Sequence, residues 1–349
     1  MKIGIDLTSL YGRKRTGMEM YAVDLYRALL TTGHQIVPIF HGQNEVDDNP
    51  DAYIISKCKR LWLENVALSR AVRMIKADVV IFPVFPPPLD LYFGCESKIY
   101  HTIHDTVSLR YRDTQNVAAK YYYLPKLKLF FRKGDAIITI SETVKKQLQT
   151  ISNLPIYNLG ENIASEYKDA DNYVNKQYLE KWDLIPNSYY ISVSTIEPRK
   201  NIGYLLKVFI PILKEQHRKL VLVGRKGWGK NEKLAKMIED ARDIIIFTDY
   251  LTTEELFSLY HYAYAFALLS IDEGFGRTPF EAVACGCKRI ILSDIEIFKE
   301  TFENNAMFLP LNKSEIALMM LREGNIRCVN NVFKLPFNVI EKRIDNIHW

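Results

Sequence analysis

The densest chemistry in this chain lies between Ser270 and Gly286, SIDEGFGRTPFEAVACG. The segment leaves an apolar stretch, passes Glu273-Gly274-Phe275-Gly276, and enters a helix with Thr278-Pro279 near its first turn. Glycines there let backbone approach a ligand closely, while free amides and the positive dipole end of a helix attract an anion. A phosphate fits that place. Only the stretch around Glu281 is helical, so Glu273 from the loop and Glu281 from the helix can flank one ligand. Standing alone, the same two residues read more readily as a capping Glu and a solvated helix Glu.

Two more segments share this strand, loop and helix placement. Ser194-Thr-Ile-Glu-Pro-Arg-Lys-Asn201 offers Arg199 as a planar fork and Lys200 as a point charge for phosphate oxygens. Gly224-Arg-Lys-Gly-Trp-Gly229 adds Arg225 and Lys226. Any one basic pair would be an ordinary solvated loop. Three such strand ends in one half, with neither a Walker lysine motif nor Gly-x-Gly-x-x-Gly after the first strand, point to a nucleotide diphosphate held by cations and helix ends. In the other half, Tyr100-His101-Thr-Ile-His104-Asp105 closes a strand, and the loop Tyr11 to Gly17 follows another, with Gly12 and Gly17 permitting close approach. A lone His is more often a satisfied core group; the carboxyl end of a strand favours His104 as a cleft residue. Cys285-Gly-Cys287 has no second Cys or His pair at zinc spacing and reads as buried thiols.

These loops need a scaffold, and the apolar pattern supplies one. Val- and Ile-rich runs alternate with helical patterns, which predicts an α/β architecture of parallel strands covered on both faces. Strands are expected at Lys2–Leu7, Gln35–Phe40, Asp78–Pro83, Lys98–His104, Ala136–Ser141 and Ile156–Leu159, with helices from about Met18 to Leu30 and from Glu142 to Thr150. The alternation restarts with strands Tyr190–Ser194, Lys219–Gly224, Ile244–Thr248, Tyr264–Ser270, Arg289–Ser293 and Met307–Leu309. Helices are expected between them at Asn201–Gln216, Gly229–Asp240 and Thr253–His261, then from Thr278 and near Lys313–Arg322. The result is two doubly wound halves with a ligand cleft between them. Residues 1–165 form the first domain and 185–325 the second; 166–184 join them, and 326–349 are a tail expected to pack back on the first.

Composition bounds the rest. With 349 residues, 48% hydrophobic and 25% charged, the chain suits two globular domains and excludes wholesale disorder. The apolar start is too short for a signal peptide, no run reaches a membrane span, and five scattered cysteines suit reduced thiols, so a cytoplasmic protein is expected. A net charge of +5 is too mild for a nucleic-acid binder, and bases would need aromatic platforms along a basic groove. Up to Ala170 there are 22 basic and 18 acidic residues (+4), leaving 24 and 23 (+1) beyond. Between Thr114 and Gly134 no acid occurs, while Lys120, Lys126, Lys128, Arg132 and Lys133 interleave with Tyr121 to Tyr123, Phe130 and Phe131. That mixture suits either an anionic membrane surface or a helix with aromatics in the core and lysines in water.

Glu273 with Glu281 as Glu-x7-Glu, Glu197-Pro-Arg-Lys-Asn201, the Val-Gly-Arg-Lys-Gly-Trp loop and Thr102-Ile-His-Asp105 together resemble the family 4 glycosyltransferases, retaining enzymes of the GT-B fold. The resemblance covers nearly the whole chain and is strongest from Tyr190 to Asp294. It implies that Lys200 binds the donor diphosphate, Glu281 the ribose hydroxyls, and the amides of Gly274, Phe275 and Gly276 the sugar hydroxyls beside Glu273. Thr278 belongs to the same donor site, His104 lies near the reacting side of the sugar, and Gly17 faces the donor. Many members carry Arg early in the phosphate loop where this chain has Thr195, so Arg199 or Arg225 supplies that charge.

The implied reaction is hexosyl transfer from a nucleotide-diphosphate sugar to a lipid-linked or oligosaccharide acceptor of a bacterial surface polysaccharide. The Glu-Pro-Arg-Lys-Asn variant is similar to that of mannosyl- and rhamnosyltransferases and makes GDP-mannose the first donor to try, with dTDP and UDP sugars next. Because leaving-group charge is met by fixed cations and a helix end, and the sequence offers no convincing Asp-x-Asp metal motif, no metal or other cofactor is expected. Attachment to the inner face of a membrane is expected as well. The competing reading is a sugar-nucleotide epimerase of the same two-domain shape.

Overall fold

The computed structural model describes residues 1–12, 16–44, 46–110, 119–224, 232–248 and 251–349. Arg225, Lys226 and the Thr114–Ala118 part of the basic and aromatic run therefore lie outside the described residues. Two compact units are present: Met1–Asn162 with Asn338–Trp349, and Ile163–Phe337.

The first unit is built on seven strands: β1 (Lys2–Asp6), β2 (Gln35–His41), β3 (Tyr53–Ile55), β4 (Val79–Phe82), β5 (Lys98–Ile103), β6 (Ala136–Thr139) and β7 (Ile156–Asn158). Every pairing is parallel, in the order β3-β2-β1-β4-β5-β6-β7. Strand order thus reverses between β1 and β4. Strand β4 is buried along its whole length, as its unbroken VVIF run requires when both faces are covered. Val37, Ile39, Val80, Phe82 and Ile137 meet Leu68, Val72 and Ile75 of the helix Leu68–Ile75 in one core.

The second unit repeats the plan with β8 (Tyr189–Val193), β9 (Lys219–Val223), β10 (Ile245–Thr248), β11 (Ala265–Leu268), β12 (Ile290–Ser293) and β13 (Met307–Leu309). They run parallel in the order β10-β9-β8-β11-β12-β13, with the reversal between β8 and β11. The helix Ile202–Gln216 buries Leu205, Leu206, Phe209 and Leu213 against Leu220, Leu222, Ala265 and Ala267. The helix Thr253–Tyr262 starts on a capping box: Glu255 N donates to Thr252 Oγ1 at 3.2 Å and Thr252 N to Glu255 Oε2 at 2.9 Å.

The expected α/β architecture of two doubly wound units is therefore present. Elements not read from sequence have physical reasons for escaping. Strand β3 is a three-residue edge strand, half in water. The helix Leu68–Ile75 follows a π-helical stretch, Leu63–Ala67, which breaks the 3.6-residue period. Residues 166–184, expected to be an inter-domain connection, are grouped with the second unit, where Tyr167 packs on Phe257 at 4.8 Å between ring centroids. The tail divides: residues 326–337 belong to the second unit and Asn338–Trp349 to the first. There Val339 N donates to Asn162 Oδ1 at 2.7 Å, and Trp349 stacks on Tyr100. No helix among the described residues is long and apolar enough to cross a membrane.

Candidate functional site

Doubly wound sheets bind ligands beyond the strand carboxyl ends where strand order reverses, because neighbouring loops diverge there and open a crevice. In the second unit that point is the end of β8 and β11, and both sequence segments begin there. After β8, Pro198 opens a short 3-10 turn, Pro198–Lys200, and Asn201 takes a left-handed conformation (φ 53°) before the helix Ile202–Gln216. After β11 the chain is tied across by Ile271 N, which donates to Arg199 O at 2.9 Å. Two loops far apart in sequence are thereby fastened side by side.

Glu273 sits at their junction and is buried. Lys200 Nζ donates to its Oε1 at 2.5 Å, Arg199 Nη1 to its Oε2 at 2.5 Å, and Ser270 Oγ to Oε1 at 2.7 Å. Burial pushes the Glu273 carboxyl up, but the charges of Lys200 and then Arg199, with hydrogen bonds from Lys200 and Ser270, outweigh it and bring the pKa down to about 2. Glu273 is ionised throughout the neutral range. Arg199 is also committed to Glu197 Oε1 at 2.9 Å and to the Asp272 carbonyl at 3.0 Å. Its fork therefore holds the Glu273 loop in place, and of the two cations in the turn Lys200 is the one with the simpler attachment.

Glu281 lies on the helix Arg277–Ala284. Its carboxyl is pushed up by burial and by Glu166, against the opposing pull of Arg277, the Tyr167 hydroxyl and Lys200. Arg277 Nε stands 3.9 Å from Glu281 Oε1, one helical turn away. The charge of Lys200 thus acts on both carboxylates of the Glu-x7-Glu pair.

The loop between them depends on glycine. Gly276 is the N-cap of this helix with φ 81° and has no side chain with which to cap it, and a Cβ there would stand 2.5 Å from the Phe298 ring. Phe275 stacks on Phe280 with centroids 5.1 Å apart, and Phe280 on Phe333, so an aromatic wall backs the Gly274–Gly276 turn. Thr278 occupies the first turn and is half-buried. At the end of β9, Gly224 has φ 141°, and a Cβ would lie 2.1 Å from the Ser194 carbonyl oxygen. Only glycine lets this third loop leave its strand against the Ser194–Asn201 segment.

Of the residues singled out in the sequence, the structure brings together Arg199, Lys200, Glu273, Gly274, Phe275, Gly276, Thr278 and Glu281 at one end of the second sheet. His104 and Gly17 belong to the first unit. His104 follows β5, with Nε2 2.7 Å from the Pro83 carbonyl oxygen; since a carbonyl only accepts, Nε2 carries the proton. Tyr21 meets its ring edge-on at 4.9 Å. Gly17 opens the helix Gly17–Leu30 behind a Thr16–Glu19 capping box. His101, by contrast, is a core histidine: burial drives its pKa down to about 4, with Nδ1 on the Phe82 carbonyl at 2.6 Å.

Sequence reasoning missed the supports. Ser270 and Glu197 orient Glu273 and Arg199, and Tyr167 reaches Glu281 from a stretch that carried no signal beyond scattered aromatics among polar residues. Arg277 did carry a signal, its i,i+4 spacing to Glu281. Cys285 and Cys287 are buried free thiols, pushed up by burial, and no group of three or more potential metal ligands occurs among the described residues. In the basic and aromatic run, Lys126 and Phe130 are core residues, Lys126 Nζ lying 2.9 Å from the Tyr122 hydroxyl; Tyr121, Lys128, Arg132 and Lys133 face water.

Comparison with known proteins adds two family matches. Residues 15–156 match the model of Glycosyltransferase Family 4, and residues 176–317 that of Glycosyl transferases group 1. The serotype-specific mannosyltransferase WbdA of Escherichia coli is 27% identical over 230 residues, 62% of this chain but 28% of its own length. The O-antigen chain mannosyltransferase RfbU of Salmonella typhimurium is 30% identical over 211 residues, 60% of this chain and 55% of RfbU. An O-antigen chain mannosyltransferase B of Escherichia coli is 28% identical over 297 residues, 78% and 77% of the two chains. The chain thus spans little more than a quarter of the WbdA length. Among solved structures, sucrose-phosphate synthase from Thermosynechococcus elongatus superposes with a TM-score of 0.70 at 15% identity, covering 99% of this chain and 94% of that one. HepE of Anabaena in complex with UDP gives 0.70 at 13%, covering 99% and 98%. At such identities the likeness concerns the fold.

Proposed function

The chain belongs to the glycosyltransferases of group 1 and family 4, and we propose that it moves a hexosyl group from a nucleotide-diphosphate sugar, GDP-mannose first, to a lipid-linked saccharide acceptor of a bacterial surface polysaccharide. The observation that carries this reading is Lys200, an ammonium bonded to Glu273 and acting on Glu281 at the strand-order reversal. The named relatives that act on O-antigen chains support the acceptor class, and their mannosyltransferase names support the sugar.

In this reading the bond from the anomeric carbon to the β-phosphate oxygen breaks while a bond to the acceptor oxygen forms on the same face. The acceptor proton passes to the departing phosphate. Negative charge grows on the diphosphate, and the groups aimed at it lower the barrier. Lys200 and the start of the helix Arg277–Ala284 fill that role, Glu281 takes the ribose hydroxyls, and Glu273 faces the positive charge that develops on the sugar ring.

A charge count extends the proposal. Arg199, Lys200 and Arg277 are already matched by Glu197, Glu273 and Glu281. An arriving diphosphate needs further positive charge, and Arg225, directly after Gly224, is the residue this reading assigns to it. The diphosphate is then met without a divalent metal, so transfer continues in the presence of EDTA; loss of activity restored by Mg²⁺ would sink that part of the proposal.

The direct test is a panel of nucleotide sugars screened for thermal stabilisation, followed by acceptor-dependent release of the nucleoside diphosphate. GDP-mannose is expected to stabilise most, and Lys200→Ala to lower the transfer rate roughly 100-fold or more. Near-normal turnover in Lys200→Ala overturns the site assignment. Sugar conversion that needs no acceptor favours an epimerase instead.

A further inference from the structure

Two histidines at the end of β5 are held by the same pair of clamps. His101 has Nδ1 2.6 Å from the Phe82 carbonyl oxygen and meets the Phe130 ring edge-on at 5.3 Å. His104 has Nε2 2.7 Å from the Pro83 carbonyl oxygen and meets the Tyr21 ring edge-on at 4.9 Å, with the ring planes at 84°. The carbonyl fixes the proton and the edge-to-face contact fixes the plane, so each imidazole has one tautomer and one orientation. Their surroundings differ. His101 is a core residue, whereas His104 is only half-buried. A core histidine needs partners to satisfy its nitrogens; one that reaches the surface can leave that to water. The clamps on His104 therefore point to a use for its orientation.

The local sequence builds the aromatic clamp. Tyr21 stands on the helix Gly17–Leu30, one turn beyond Gly17, and is 1% exposed. The Thr16–Glu19 capping box pins the start of that helix, so the ring is not carried on a fraying turn. Leu25 and Leu29, at four-residue spacing from Tyr21, are fully buried and fix the same face of the helix. The ring does the work at this position. The Tyr21 hydroxyl is buried with no hydrogen-bond partner among the described residues, and the contact with His104 is made between the two rings.

We propose that Tyr21 is a positioning residue for glycosyl transfer: its ring, with the Pro83 carbonyl, holds His104 as the Nε2–H tautomer in one orientation, so that Nδ1 offers a lone pair and not a proton to the transferred sugar. A lone pair accepts from a sugar hydroxyl and tolerates the positive charge that grows on the sugar ring, whereas an N–H dipole turned the same way would oppose it. The inference rests on the reading of His104 as a residue beside the reacting sugar, and names what sets its proton.

The test uses the full chain carrying isotope-labelled histidine at about pH 8, where a neutral imidazole shows its tautomer in long-range proton–nitrogen correlations. His104→Gln identifies the signal. In the parent, His104 is expected as the Nε2–H tautomer with a slowly exchanging ring proton. Tyr21→Leu should bring the Nδ1–H form into view and speed exchange of the Nε2 proton roughly 5-fold, the size of one lost aromatic contact. Tyr21→Phe keeps the ring and should restore both. Leu25→Ala, a cavity one turn along the same helix, lowers the melting temperature and should leave His104 as in the parent. With the donor chosen by the stabilisation panel, Tyr21→Leu should lower kcat roughly 10-fold while the donor KM stays within about twofold. An Nδ1–H tautomer in the parent, an unchanged His104 signal in Tyr21→Leu, an equal disturbance in Leu25→Ala, or failure of Tyr21→Phe to restore the signal each overturns the inference. So does parental kcat in Tyr21→Leu. The imidazole readout needs no sugar, so a wrong donor or acceptor counts against the function proposed above and not against the hold of Tyr21 on His104.

Discussion

Replacing Glu273 by Gln removes the one negative charge that Lys200 and Arg199 share while keeping the shape of the side chain. Its pKa stands at about 2, against 4.5 for an unperturbed group. At 1.36 kcal/mol per unit, the ionised carboxylate contributes roughly 3 kcal/mol to the stability of the second unit. The sign follows from the direction of the shift. A depressed carboxylate stabilises fully above its unfolded pKa, and the contribution fades as pH falls from about 4.5 towards 2. The gap between parent and Glu273→Gln should therefore be widest near neutrality and close progressively in acid. Urea unfolding at a series of pH values measures it, in a Trp62→Phe/Trp349→Phe background whose remaining tryptophans both lie between residues 163 and 337. The expected size is also that of an ion pair broken from one side, where the surviving cation is left without its partner. A gap that does not vary with pH, or a variant as stable as the parent at pH 7, refutes the account of Glu273 as the buried anion that fastens the two loops.

Two further outcomes follow from the same geometry. Tyr167→Phe removes a hydrogen bond that favours the ionised form of Glu281, whose carboxyl burial already pushes up. If the carboxylate holds the donor, the acid limb of kcat/KM should move to higher pH by up to about one unit, and an unmoved limb would separate Tyr167 from donor binding. Gly224→Ala forces a Cβ onto the Ser194 carbonyl at a φ of 141°, and should cost about 1–3 kcal/mol in stability and weaken stabilisation by the donor; an unchanged melting temperature counts against the close approach of the two loops.

Much of the architecture was readable because it is written in local periods. The strands β4, β11 and β12, four residues each, buried throughout and apolar but for Ser293, mark themselves as covered on both faces, and Thr252-x-x-Glu255 marks its helix start. Loops at strand ends, with Gly276 and Gly224 where backbone must turn left or come close, pointed to the anion-binding edge. Strand β3 and the helix Leu68–Ile75 escaped because one is three edge residues and the other begins in a π-helical stretch that shifts the period.

Charge was legible in kind but not in direction. The basic and aromatic run near Tyr121 allowed either a membrane surface or a helix with aromatics inside and lysines in water; packing turns Lys126 inward with Phe130, where the Tyr122 hydroxyl receives it, and leaves Tyr121, Lys128, Arg132 and Lys133 exposed. A helix shows both faces equally in a sequence; only packing says which is wet.

The sequence by itself determined which residue types stand at which strand ends, because those depend on periods of two and 3.6 residues within a dozen positions. The tertiary structure decided which strand ends are neighbours. Lys200 meets Glu273 across 73 positions because β8 and β11 are adjacent at the reversal of strand order, and Glu281 receives Tyr167 from a segment with no motif. Adjacency in a doubly wound sheet is set by how the crossovers pack, and that information is spread over the core of the whole unit rather than held in any one stretch of chain.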